Sequence, residues 1–238
     1  MATLKLGSGA VSQLNTGASI LAAARTVDTR VIKVRLADFQ RAQLNYNAAH
    51  EKVRAAEANL RAAQTRLEEL DANQDQAVDG VARMLIVDGQ PRANPFAAFG
   101  LPAPGRLSGL AVTEETKVIH QLVAAVQRAK NLSKSTQQAA QAADKAAHAV
   151  EQALAQIDKL QGAVREARHT RAAVAQTWKT VFGALKRGAR AAADDGAPNL
   201  YATLFDRPTR PNGKNGKRTK APTPDPMPAS PPPPATPA

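Results

Sequence analysis

The residues best suited to hold a metal or move a proton in this 238-residue chain are four histidines, His50, His120, His148 and His169, because there is no cysteine. A metal centre needs three or four convergent N, O or S donors, and in sequence it usually shows as a short spacing such as His-Glu-x-x-His or paired cysteines. The four histidines are scattered, with no such spacing and no evident carboxylate set beside them. The sequence therefore predicts no metal site and no cofactor. His169, set between two arginines in Arg168-His169-Thr170-Arg171, reads as a surface residue.

Phosphate-binding loops fare no better. Gly7-Ser8-Gly9 lacks the third glycine and the strand-to-helix setting of a dinucleotide fingerprint. The segment from Gly213 to Lys220 has the glycines and lysines of a phosphate loop without its spacing. No candidate nucleophile, base or cofactor loop emerges, and a non-enzymatic protein is expected.

The elements that would position any site are helical. Residues 36–88 contain no proline and a single glycine, Gly80, with Asp38 a plausible N-cap and Asp88-Gly89-Gln90-Pro91 a run of stop signals. A second helical run spans 112–195, with Thr113 a candidate N-cap ahead of Glu114 and Glu115. Ser133, Ser135 and Thr136 compete for backbone hydrogen bonds, so a break near 131–136 is predicted. Residues 1–35 suggest a short helix carrying Val11, Leu14, Ala18 and Leu21. The β-branched stretch Thr29 to Leu36 then reads as a strand. Residues 196–206 hold Leu200, Tyr201, Leu204 and Phe205, a segment expected to dock onto the helices. Residues 207–238 carry eleven of the sixteen prolines and predict a disordered basic tail, with the proline run 231–234 a plain spacer.

Heptad spacing gives the architecture. Phe39, Tyr46, Val53, Leu60, Leu67, Gln74 and Val81 recur every seven residues, and the positions three further on run Ala42, Ala49, Ala56, Ala63, Leu70, Ala77, Met84, apolar or aromatic at every place but Gln74. That is a coiled-coil seam rather than the drifting stripe of an isolated amphipathic helix. Ile119, Leu122, Val126, Val150, Leu154 and Ile157 mark a matching seam in the second run. The predicted fold is all-α: a long antiparallel helical hairpin with alanine-rich seams. If 88 faces 112, position 39 falls near 161, and the chain beyond about 164 overhangs. Alanine buries little area, so further helices or self-association are expected to complete the packing.

The two runs are joined by residues 89–111, longer than the two to eight residues a helical connection needs. The insert carries Phe96, Phe99 and Leu101, read first as apolar residues capping the hairpin core and also as a partner-binding tip. Net charge is +12, concentrated toward one end of the predicted hairpin by Arg165, Arg168 and Arg171 together with Lys214, Lys217, Arg218 and Lys220 of the tail. Such an end suits an acidic protein, nucleic acid or an anionic surface.

No stretch is long and apolar enough to span a bilayer, and the N-terminus lacks the pattern of a secretory signal. A soluble, cytoplasmic protein is the expectation. The leading reading is a structural or assembly protein that self-associates through its seams as a homo-oligomer or binds a protein partner through its tip and basic end. In general composition the chain is similar to phasins, the alanine-rich helical coats of storage granules, which implies a granule or lipid-surface coat as one alternative. A nucleic-acid-associated helical protein is the other.

Overall fold

The computed structural model describes residues 2–3 and 9–207, and the predicted tail cations Lys214, Lys217, Arg218 and Lys220 lie outside them. The fold is all-α. Among the described residues the helices are α1 (Ala10–Ala23), α2 (Lys33–Val87), α3 (Pro104–Leu107), α4 (Val112–Arg128), α5 (Lys134–Asp194) and α6 (Leu200–Phe205). Two-residue strands β1 (Ala2–Thr3) and β2 (Asp206–Arg207) pair antiparallel.

Helices α2 and α5 form an antiparallel pair, about 80 Å and 90 Å long at 1.5 Å per residue. Their register is fixed by contacts along the whole length. Asp88 meets Ser133 and Thr136, Glu57 meets Arg168, Gln43 meets Trp178, and Arg35 approaches the Ala184 carbonyl. Phe39 therefore lies against Trp178 and Phe182. The sequence placed it opposite residue 161 because the second run was taken as one strut starting near 112.

The break explains the difference. The chain leaves helix at Ala129, and Ser133 caps α5 by accepting a hydrogen bond from the Thr136 amide. Helix α4 thus folds back against α5, leaving the whole of α5 to pair with α2. At the far end of α2, Gly89 has φ +91, a left-handed conformation that stops the helix cleanly, and Gln90 N–H reaches the Leu85 carbonyl.

Two other local expectations give way to packing. Residues 30–36 are not a strand but a 3-10 turn running into α2, whose N-cap is Ile32 rather than Asp38. Strand alternation would bury Ile32, Val34 and Leu36 together. Instead Ile32, Leu36 and Phe39 are buried at helical spacing while Val34 is 74% exposed. Likewise Ala111, not Thr113, precedes the first turn of α4.

Two cores result. At the base, α1 and α6 close over the ends of α2 and α5, and six of the eight aromatic residues gather there. Trp178 stacks on Phe182 at 5.2 Å, with Phe39, Tyr46 and Phe205 ringed around them. At the tip, α4 and the 89–111 insert close over α2 and α5 around Val81, Leu85, Phe96, Leu107, Ile119, Leu122 and Val126. Each fully buried large apolar side chain contributes about 1.5–3 kcal/mol of transfer free energy.

Candidate functional site

On α5, Asp144, His148 and Glu151 occupy positions i, i+4 and i+7, one stripe of a helix. Helix α4 runs back along that stripe because of the turn at 129–133, and it delivers His120 to it. The four side chains close into a ring. His120 Nδ1 lies 2.8 Å from Asp144 Oδ1, and His120 Nε2 lies 3.3 Å from Glu151 Oε1. His148 Nδ1 lies 3.1 Å from Glu151 Oε2, and His148 Nε2 lies 3.8 Å from Asp144 Oδ2. The two imidazoles are 4.6 Å apart, centre to centre. His120 is the more enclosed of the pair and His148 the more exposed.

Two histidines read from the sequence as scattered are therefore neighbours, each facing two carboxylates. The signal on α5 was the Asp-x3-His-x2-Glu stripe. His120 carried none, since in one continuous helix it would stand about 36 Å from Asp144.

A second polar cluster holds the other flank of α4. The Glu115 side chain is buried against α2 beside Asp71, Gln74 and Asp75, and Gln74 is itself fully buried. Burial, then the Asp75 charge and hydrogen bond and the Asp71 charge, push the Glu115 carboxyl up to about 7. Burial and the Asp75 charge also raise Asp71. Three acids around one buried amide make a docking contact that is best satisfied when a proton is shared among them.

Between the two cores the rod is only two helices thick. Leu60, Leu67, Leu70, Leu154 and Leu160 are half-buried there, whereas Phe39, Tyr46 and Val53 on the base side, and Ile119, Leu122, Val126 and Val150 on the tip side, are buried. Ile157 and Val164 are the buried residues of the central seam. A groove of about 490 Å³ runs along one side of this waist, lined by Glu57, Leu60, Arg61, Gln161, Val164, Arg165 and Arg168. No aromatic residue lies in the waist.

The sequence-predicted tip residues divide. Phe96 is fully buried in the tip core, and Phe99 and Leu101 pack against that core with part of their surface exposed. Asn94 braces the loop: its side-chain nitrogen donates to the Leu101 carbonyl and its oxygen accepts from the Phe96 amide. Of the basic residues, Arg168 donates to Glu57 at 2.7 Å, Arg165 borders the same groove, and Arg171 is half-buried. Lys179, Arg187 and Arg190 are exposed at the base with Lys33 and Arg35.

Among the described residues no helix is long and apolar enough to cross a membrane. No protein-family model, no curated protein and no solved structure matches the chain.

Proposed function

We propose that this protein is a non-enzymatic structural or assembly component that self-associates along its central seam and presents its basic base to partners. The observation that carries this reading is the waist. The α2–α5 pair is covered at its base by α1 and α6 and at its tip by α4 and the 89–111 insert, and the leucines between them are left half-covered on a two-helix rod. A second copy of the chain is the occupant that fits. Charges along 51–71 and 151–168 nearly cancel, seven basic against eight acidic residues, while the excess positive charge sits elsewhere. Two waists can therefore meet without the repulsion that two basic ends would feel.

Tip contacts with a partner would fall to the exposed parts of Phe99 and Leu101. Exposed base lysines and arginines offer a surface for an acidic protein.

Sedimentation velocity on the full chain tests this, at low and high salt, alone and with duplex DNA. The expected result is a salt-resistant oligomer that ignores DNA and dissociates in a Leu60→Glu/Leu67→Glu variant whose helical content is unchanged. A monomer at all concentrations would sink the assembly reading. Co-sedimentation with DNA at low salt only would replace it with phosphate binding by the basic end.

A further inference from the structure

We infer that His120, His148 and Glu151 form a binding site for a divalent transition-metal ion, of which Zn²⁺ is the best fit, with Asp144 orienting His120. The ring of four side chains is short of hydrogen-bond donors. It has four nitrogen-to-oxygen approaches, one of them as long as 3.8 Å, and in the neutral form that binds metal the two imidazoles supply only two N–H groups, while ionised carboxylates supply none. Two approaches are then lone pair against lone pair. A cation placed between these atoms converts that repulsion into coordination and offsets the two negative charges.

The geometry assigns the roles. His120 Nε2 and His148 Nδ1 both face the Glu151 carboxylate, at 3.3 Å and 3.1 Å. A tetrahedral ion with ligands at about 2.0–2.1 Å has ligand-to-ligand edges of about 3.3 Å. The two approaches reach different oxygens of Glu151, and one nitrogen from each ring and one Glu151 oxygen lie within 4.8 Å of one another, so small side-chain rotations draw the three onto one tetrahedral ion. The fourth position is left to water. The remaining nitrogen of His120 points at Asp144, 2.8 Å away, and donates to it when the other nitrogen binds metal. That carboxylate–histidine–metal relay holds the ring in the ligating tautomer.

Ligand chemistry sets the class of ion. Two imidazoles and one carboxylate suit Zn²⁺ and its first-row neighbours, whereas Mg²⁺ requires oxygen ligands in octahedral array. Because His120 comes from α4 and the other two ligands from α5, the ion would clamp α4 into the tip bundle.

The test is zinc titration by calorimetry on the tag-free, chelator-treated full-length chain. The expected result is one Zn²⁺ per chain, bound with a Kd at or below about 1 μM, and no measurable Mg²⁺ binding. His120→Ala and His148→Ala should each weaken it by about 100-fold or more, and Asp144→Ala by about tenfold. His169→Ala, far from the site, should change it less than about twofold, an ordinary surface effect. Zinc should also slow amide exchange in α4 of the wild-type chain and of His169→Ala, but not of His148→Ala. The His148 side chain is more than half exposed, so its removal leaves the bundle folded even if His120→Ala loosens α4. A wild-type Kd weaker than about 10 μM, or affinity unchanged in His148→Ala, overturns the assignment.

Discussion

The Trp178 indole N–H donates a 2.7 Å hydrogen bond to the Gln43 side-chain oxygen, joining residues 135 apart in sequence inside the base core. Gln43 is held at both ends: its side-chain nitrogen donates to the Leu14 carbonyl of α1 at 2.9 Å. Beside it, the Tyr46 hydroxyl bonds the Gln13 side chain at 2.9 Å. One buried amide therefore ties α1, α2 and α5 together and sets their register. Removing Trp178 takes away the ring stack and leaves the Gln43 oxygen without its donor. Trp178→Ala is expected to cost about 3–5 kcal/mol. Trp178→Phe keeps most of the apolar area and should cost less, about 1–3 kcal/mol for the unsatisfied oxygen. Chemical denaturation followed by far-UV circular dichroism checks both.

The same amide makes Gly17 irreplaceable. A Cβ at Gly17 would land on the Gln43 carboxamide, which is pinned at both ends and has nowhere to go. Gly17→Ala is expected to destabilise by about 1–3 kcal/mol, although the same change in an open helix site is favourable. Gly80→Ala on α2 is the control, since nothing lies within 4 Å of a Cβ there. It should stabilise by about 0.5–1 kcal/mol through helix propensity. Opposite signs in the two denaturation midpoints are the readout, and a stabilising Gly17→Ala would refute the close approach.

How much of this arrangement was legible beforehand depends on the range of the interaction. The fourteen seam positions of α2, from Phe39 to Met84, are all buried or half-buried, because a seven-residue period is a local property of one helix. The break before Ser133 was legible for the same reason. Residues Thr29 to Leu36 misled because β-branched side chains favour strand only weakly, and burial of Ile32 and Leu36 in the base core outweighs that preference. The pairing of Phe39 with Trp178, and of His120 with His148, depends on where α4 turns back. Gln43, Gly17 and Glu115 gave no sequence signal, since a buried glutamine, a crowded glycine and a buried acid look ordinary until the facing helix is placed.

Glu115 predicts a pH-dependent tip. Its carboxyl is raised to about 7 in the folded chain by burial first and by the Asp75 charge next, and its unfolded value is the ordinary one near 4.5. The folded state therefore holds a proton that the unfolded state releases. The associated stability is fully present below about pH 4.5 and is lost as pH rises through about 7. Glu115→Gln keeps the shape without the charge. It should match the wild type near pH 5 and exceed it at pH 8, by something on the order of 1–3 kcal/mol. Stability curves at the two pH values decide the matter, and equal curves at pH 8 would remove the proton from the contact.

Asp88 works in the opposite direction at the other end of the pH scale. Its carboxylate closes α2 and reaches across to the start of α5, accepting from the Thr136 hydroxyl at 2.6 Å and the Ser133 amide at 3.0 Å. The Thr136 bond and then the Ser133 amide hold its pKa below the usual carboxylate value. Stability from this contact is present above the unfolded value near 3.8 and is lost as pH falls through the lower folded value. Both bonds land on Asp88 Oδ2, so Asp88→Asn keeps an acceptor oxygen but loses the charge that strengthens it; it should weaken the contact at pH 7 and leave the Ser133 amide less protected from hydrogen exchange. Once the pH has fallen below the lowered folded value the wild-type carboxyl is protonated, a neutral acceptor like the amide, and the difference between the two proteins should shrink toward zero. If the gap at pH 7 persists undiminished in acid, the carboxylate charge is not what joins the end of α2 to the beginning of α5.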